Sequence, residues 1–423
     1  MSIVKKTESL ILVVPIAVMY FWSIYGAWDW IPMKLSGGYD FYEDIMFEVN
    51  IDEYYFEMLL YYSLFILIFS NYTNLKAKHL QKHKGVRSDL MASEYFYNIN
   101  ALDESRFYKG VVYICFGCFV YFSLKNIGAA VSEGVSAYQL SRFNSVLGGA
   151  DSLVEFSGDM FLFLAIPLIF SKKKLSKKYI LIPIVIFYIV NMLLGNRNTL
   201  LCGLVEGVLL FVELYGLRTV FRPRNIALGI SLLTLIQVAS FIRGLPVSDI
   251  LAGNFELNIM DIFRSTSGSG EKYAAQISMY GVLSKDVPLS FGASIISFIS
   301  ILLPSFIGFP RLDNSYLYYV NHTMGGKPEL GVTLNHITDW FINFGVVGLF
   351  IGAYVWGYVI KCLYRKRDRF EYFMASILFS SVSIQLIRGG IEGYKGTLLM
   401  NTIIPLLLIR YCIRRKSNMS SIV

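Results

Sequence analysis

The sequence predicts an all-α polytopic membrane protein of about ten transmembrane helices, and three observations predict it. Hydrophobic residues make up 55% of the 423 while charged residues reach only 16%, against about 25% charged in soluble domains. The apolar residues gather into runs long enough to cross a bilayer, for which a helix needs about 20. The connections between the runs alternate in charge, as the excess of Lys and Arg in cytoplasmic loops requires.

In order, the runs are 10–27, 54–72, 110–127, 156–170, 179–195, 198–215, 225–241, 341–361, 371–388 and 395–412. The first follows Lys5 and Lys6, and only Phe21-Trp-Ser-Ile-Tyr25 stands where a small-residue cleavage site would be, so it reads as an uncleaved anchor starting inside. The loop after it is acidic (Asp40, Glu43, Asp44, Glu48, Asp52, Glu53) and external. The next carries Lys76, Lys78, Lys82, Lys84, Arg87, Arg106 and Lys109 and is cytoplasmic. The third, 128–155, holds one cation, Arg142, and is external. The fourth run is short, and Asp159 near its start asks for shielding by protein. Lys172-Lys-Lys-Leu-Ser-Lys-Lys178 returns the chain to the cytoplasm, Gly195-Asn-Arg-Asn198 makes a tight external hairpin, and Arg218 to Arg224 is cytoplasmic again.

The seventh run therefore delivers the chain outside at Arg243. The strongest cytoplasmic signal, Lys361-Cys-Leu-Tyr-Arg-Lys-Arg-Asp-Arg369, follows run 341–361, which must then run inward from an outside start. An intervening apolar stretch, 291–309, would put that basic cluster outside if it crossed once. Pro304 and the serines at 294, 297, 300 and 305 also weaken it as a lipid-facing helix, so the expectation is a re-entrant or interfacial segment. The chain then divides into an N-terminal bundle (1–242), an external cap (243–340) and C-terminal spans with a basic tail (341–423), both termini being cytoplasmic. Within the cap lie six Lys or Arg, eight Asp or Glu and two of the four histidines, so chemistry is expected there.

The net charge of +8 follows from the basic cytoplasmic loops, which lie beside spans and not on an aromatic-laced soluble face, so nucleic acid is not an expected partner. Cys115-Phe-Gly-Cys118 has redox or zinc spacing, but inside an apolar run such thiols are ordinary packing residues. The histidines have no metal-ligand spacing and no glycine-rich phosphate loop is present, so neither metal nor cofactor is expected. Glu206, mid-run, costs on the order of 3 kcal/mol and is either a paired structural group or a lining of a substrate cavity. Gly345, Gly348 and Gly352 form a small-residue face suited to close helix packing.

Arginines collect at the outer boundary: Arg142, Arg197, Arg243, Arg264, Arg311 and Arg388. Each can snorkel or pair with an acid, as Asp261 could serve Arg264 and Asp313 could serve Arg311. Together they suit a phosphate-bearing lipid, because a guanidinium grips phosphate in two places and stays charged at any depth. Arg197, Arg243 and Arg388 stand out, since each lies at the outer end of a run beside Gly or Asn.

Gly195-Asn-Arg-Asn-Thr-Leu200 resembles the Gly-x-Arg turn between adjacent spans in O-antigen polymerases of the Wzy type. Tyr138-Gln-Leu-Ser-Arg142, Phe291-Gly-Ala-Ser with Leu303-Pro and Pro310-Arg311, and Asp339-Trp-Phe-Ile-Asn-Phe-Gly345-Val-Val-Gly348 are similar to the same family, which usually has Glu at the position of Asp339. The resemblance implies a GT-C-like arrangement and an enzyme of the outer face of the bacterial inner membrane. Its substrates would be undecaprenyl-pyrophosphate-linked oligosaccharides, and it would transfer the growing glycan onto a new lipid-linked repeat unit. Membrane lipids and a chain-length regulator are the implied partners. Such chemistry needs cations for the leaving pyrophosphate and a base for the acceptor hydroxyl. His336 and Asp339, three apart and on one helical face, could be base and orienter, with Asp313 completing the shortlist. Their plain alternative is a polar loop histidine and a charge complementing a helix N-terminus. An O-antigen ligase shares this topology. A lipid-linked oligosaccharide flippase is a further reading, although no internal repeat of the transporter kind is visible.

Overall fold

The computed structural model describes residues 10–25, 49–73, 86–133, 149–172, 174–194, 197–227, 229–231, 234, 270–302, 315–325, 334–388, 390 and 398–420. Over these the chain is helical, with no strand beyond a single bridge residue at Leu334. The helices are α1 (Leu10–Tyr20), which continues as a π turn (Phe21–Tyr25), α2 (Glu53–Thr73), α3 (Val86–Glu104), α4 (Arg106–Glu133), α5 (Gly149–Ile169), α6 (Lys174–Leu193), α7 (Arg197–Tyr215) and α8 (Leu217–Val220). They continue with α9 (Gly270–Ser284), α10 (Ala293–Leu302), α11 (Ser315–Thr323), α12 (His336–Arg365), α13 (Phe370–Ser381), α14 (Ser383–Arg388), a π turn (Leu399–Ile403) and α15 (Ile404–Ser420).

Two stretches, Arg106–Ile127 and His336–Arg365, are long and apolar enough to cross a membrane, and Leu10–Tyr25 and Ser157–Ile169 are shorter apolar helices. The predicted runs 54–72, 179–195 and 198–215 also coincide with helices, α2, α6 and α7, with edges moved by a few residues. Ten crossings do not follow from this. Run 371–388 is broken at Val382 between α13 and α14, run 395–412 opens in the π turn, and most of 225–241 lies outside the described residues. A helix also forms where a cytoplasmic loop was expected, because α3 is too polar for an apolar-run search to find. The short fourth run is completed by polar residues at its start, which make α5 21 residues long, and Phe161 through Leu168 are all buried.

The chain forms two compact units, each assembled from separate stretches. The first comprises Met1–Leu80, Ser269–Lys366 and Val382–Leu399. Its described core pairs α12 with α2, with α9 and α10 also packed against α12 and α1 against α14. The second comprises Gln81–Gly268, Arg367–Ser381 and Met400–Val423. There α4 and α5 pack most closely: a Cβ on Gly158 would stand 2.9 Å from the Phe119 Cα, so the two backbones nearly touch. At one end of this unit the buried Asp103 accepts from Ser171 Oγ at 2.6 Å and faces Lys109 Nζ at 3.7 Å, pinning the turn between α5 and α6 to α3. The Tyr95 ring stacks on Phe373 at 3.8 Å between centroids.

The feature that shapes the first unit is the break in α12. Gly345 has φ 61° and ψ −147°, a region open essentially to glycine alone. It separates 336–344 from 346–365. The second part has 20 residues and so about 30 Å of length, the thickness of a hydrocarbon core. The first part folds back beside it. A Cβ on Gly348 would meet the Trp340 carbonyl oxygen at 2.0 Å, and one on Gly352 would meet the Trp340 ring at 2.6 Å. The small-residue face expected from the sequence thus exists, and what it receives is the chain's own preceding turn.

Gly348→Ala should therefore be far more damaging than Gly117→Ala in α4, where nothing lies within 4 Å of an added Cβ. The expected outcome is a Gly348→Ala protein that fails to accumulate or melts well below wild type in detergent, while Gly117→Ala melts normally. An unchanged melting temperature for Gly348→Ala would refute the reversal at Gly345.

Candidate functional site

The reversal brings a polar segment, 335–343, into the interior of the first unit. Asn335, His336, Thr338, Asp339 and Asn343 are all 0% exposed. Buried polar atoms need partners, and the partners found here define the site. Asn335 caps α12: its side chain accepts from Ile337 N at 2.9 Å and donates to Trp22 O at 3.2 Å and Ser23 Oγ at 3.0 Å in the first π turn. Thr338 Oγ1 shares hydrogen bonds with Tyr62 Oη at 3.0 Å and Ser278 Oγ at 2.9 Å, joining α12 to α2 and α9. Tyr62 also donates to the Gln276 carbonyl at 2.8 Å.

His336 sits on the opposite side of this turn among aromatic rings, with Trp356 at 4.8 Å and Phe65 at 6.2 Å between centroids. Its Nε2 accepts from the Trp340 indole Nε1 at 2.9 Å. An indole N–H can only donate, so the ring carries its proton on Nδ1. Nε2 is thereby occupied, and a base-and-orienter pairing of His336 with Asp339 would have to run through Nδ1.

Asp339 is held differently. Its backbone N–H donates to the Asn335 carbonyl at 2.9 Å. Asn343 Nδ2 donates to Asp339 Oδ1 at 2.8 Å and to the Asp339 carbonyl at 2.7 Å. The other carboxylate oxygen, Oδ2, faces Gly390, where an added Cβ would lie 2.7 Å away. Gly390 has φ 62°, so both its backbone and its lack of a side chain suit the approach. Asp339 also lies in the first turn of α12, where the helix dipole favours negative charge.

Helix α10 and the turn before it reach Asn343, the donor to this carboxylate. Phe291 (φ 48°) and Gly292 (φ 87°) make a left-handed turn that starts the helix, and Ser290 N donates to the Ile342 carbonyl at 2.9 Å. Ser290 Oγ donates to Asn343 Oδ1 at 3.1 Å, and Asn343 Nδ2 also bonds Ser294 Oγ. The described part of the apolar stretch 291–309 forms α10, with 10 residues, about 15 Å of helix, which is half a bilayer core. In the neighbouring helix α11 burial pushes the Tyr316 phenol up to about 12 and raises the buried Tyr319 further, so neither phenol serves as a base near neutrality.

Of the other residues expected at the site, Asp313, Arg142, Arg243, Arg264 and Arg311 lie outside the described residues. The backbones of Arg197 and Arg388 are described. Arg197 is the first residue of α7, in the second unit, and Arg388 is the last of α14, two residues before Gly390 in the first. Asn343 and Gly390 were not singled out in the sequence. An asparagine within an apolar stretch was the available signal for the first, and a Gly-Gly pair after Arg388 for the second.

The chain matches the family described as O-antigen polysaccharide polymerase Wzy over residues 3–418. The chain belongs to the Wzy O-antigen polymerase family. No curated protein and no solved structure matches it. Membership makes it an integral membrane enzyme of polysaccharide biosynthesis, of the glycosyl-transferring kind, that polymerises O-antigen repeat units from lipid-linked oligosaccharides. Two of the sequence motifs similar to this family, Phe291-Gly-Ala-Ser and Asp339-to-Gly348, prove to be in contact through Asn343 in this polymerase.

Gly390→Ala is a direct probe of the site, because its methyl group would be driven against Asp339 Oδ2 at a backbone angle that L side chains rarely adopt. The expected result is a polymerase that inserts and accumulates but makes shortened or no polymer, read as the chain-length ladder on a gel. A normal ladder would mean that Oδ2 has no part in the reaction.

Proposed function

We propose that the polymerase joins undecaprenyl-pyrophosphate-linked repeat units at the periplasmic face of the inner membrane, with Asp339 as the acid–base group. In the step envisaged, an acceptor hydroxyl oxygen forms a bond to the anomeric carbon of the donor glycan. The bond from that carbon to the pyrophosphate oxygen breaks, the hydroxyl proton passes to Asp339, and undecaprenyl pyrophosphate leaves with its electron pair. The observation that carries this reading is the Asp339 carboxylate itself. It is buried yet held by a donor, it lies in the turn folded back beside a helix long enough to cross, and its Oδ2 lies close to the Gly390 backbone.

Cations are needed where the pyrophosphate departs. Arg197 and Arg388 are the arginines we assign to it first, with Arg142, Arg243, Arg264 and Arg311 further along the outer boundary. Asp313 is the reserve acid. Because Asp339 is fully buried, the acceptor reaches it only when the Gly390 backbone moves off Oδ2. His336, with Nε2 engaged by Trp340, supports the turn that carries Asp339 in this reading.

Asp339→Asn keeps the volume and removes the base, so the rate should fall on the order of a hundredfold with the protein at its normal level. The same assay should find Arg197→Lys impaired, since a point charge does not replace a bidentate fork. A normal polymer ladder from Asp339→Asn would transfer the role to Asp313, and a normal ladder from Arg197→Lys would remove that arginine from the pyrophosphate.

The outer-face assignment rests on 244–340 lying wholly outside, as the basic run 361–369 demands. Topology reporters fused at Gly270 and Gly325 should both give periplasmic signals. A cytoplasmic signal at Gly325 would defeat it.

A further inference from the structure

We infer that Asn343 is a positioning residue for Asp339, and that it ties the orientation of the carboxylate to the cap helix α10. The inference rests on the reading of Asp339 as the acid–base group.

The direction of the Asn343 amide is set by its neighbours. The backbone N–H of Ser294 approaches Oδ1 at 3.4 Å, and Ser290 Oγ bonds the same atom at 3.1 Å. A backbone N–H can only donate, so this end of the amide must be the oxygen. The nitrogen is then turned toward Asp339, where it meets Oδ1 at 2.8 Å and the main-chain carbonyl at 2.7 Å, with Ser294 Oγ also in reach. Two N–H groups are shared among three acceptors. The amide therefore presents a donor to one carboxylate oxygen and leaves the other, Oδ2, turned toward Gly390.

Two consequences follow for the reaction. The Asn343 bond to Oδ1 fixes the plane of the carboxylate and so the direction from which an acceptor hydroxyl can meet it. The amide in turn is aligned by Ser290 and Ser294, which belong to the turn and first residues of α10. Helix α10 and the acid thus share one residue, Asn343, through hydrogen bonds. A displaced α10 would release Asn343 and let the carboxylate rotate.

The test uses the full-length protein purified in detergent, with its own lipid-linked repeat unit as substrate, and compares wild type, Asp339→Asn, Asn343→Ala and the double variant. A hydrogen bond to a charged group is worth enough to change a rate about tenfold or more. Asn343→Ala should lower kcat about tenfold with KM for the lipid-linked substrate little changed. In the Asp339→Asn background the same substitution should cost less than about twofold, because residues acting through one another are not additive. If Asn343→Ala does not accumulate, the Ser290→Ala, Ser294→Ala pair removes the two side-chain bonds that align the amide and keeps the amide itself. It should lower kcat several-fold on the same terms. A wild-type kcat in Asn343→Ala or in the serine pair, or an equal further loss in the Asp339→Asn background, overturns the inference while leaving Asp339 in place. A wild-type rate in Asp339→Asn defeats the reading of Asp339 itself, and the inference falls with it.

Discussion

Everything described in the first unit depends on the close approach of the Trp340 carbonyl to Gly348. It requires two things at once: no side chain at 348 and a backbone at Gly345 that only glycine adopts readily. With both, a turn of polar residues can be folded against a crossing helix and sealed there. Without the reversal, 336–344 would extend the helix by about 13 Å along its axis and carry Asp339, Thr338 and Asn343 away from their partners. The tryptophan secures the arrangement from its other end. Its ring covers Gly352 and its indole N–H holds His336.

The polar interior follows from that geometry. Groups removed from water need hydrogen bonds, and leaving one unmade costs about 1–3 kcal/mol. Here they are met by elements far apart in sequence: Ser23 after α1, Tyr62 in α2, Ser278 in α9, Ser294 in α10. Because each of these bonds ends on the 335–343 turn, the turn is fixed from several directions. Fixed dipoles of this kind are what an acyl- or glycosyl-transfer site uses to favour developing charge without having to reorganise.

Sequence reasoning reached the helices whose signal is apolar length. Run 54–72 becomes α2 and run 198–215 becomes α7 with little change, because hydropathy and helix length measure the same constraint. It missed α3, whose polar sequence carries no such signal, and the break at Val382, which lies within an unbroken apolar run. At the site, Asp339 and His336 were visible as chemistry-bearing residues near the start of a span. Their environments were not, since the partners of Asn343 sit about fifty residues away and the hand of Gly345 cannot be read from spacing. The glycines at 345, 348 and 352 read naturally as a face for another helix. That the other partner is Trp340 of the same chain needs three dimensions.

Two of the acids buried among the described residues, Glu206 and Asp339, differ in environment and not in burial. Glu206 in α7 is as completely buried as Asp339, and neither of its oxygens has a hydrogen-bond partner among the described residues. One turn earlier, a Cβ on Gly203 would lie 2.2 Å from Leu162. An acid in that setting meets no donor to hold a charge, which fits a structural group that tolerates its cost of on the order of 3 kcal/mol. Asp339 has a donor on one oxygen, a helix N-terminus behind it and the Gly390 backbone close to the other. The donor and the helix N-terminus both favour the charged carboxylate. Acid–base work needs an acid whose charged form is provided for, and of these two acids Asp339 is the one whose setting does so.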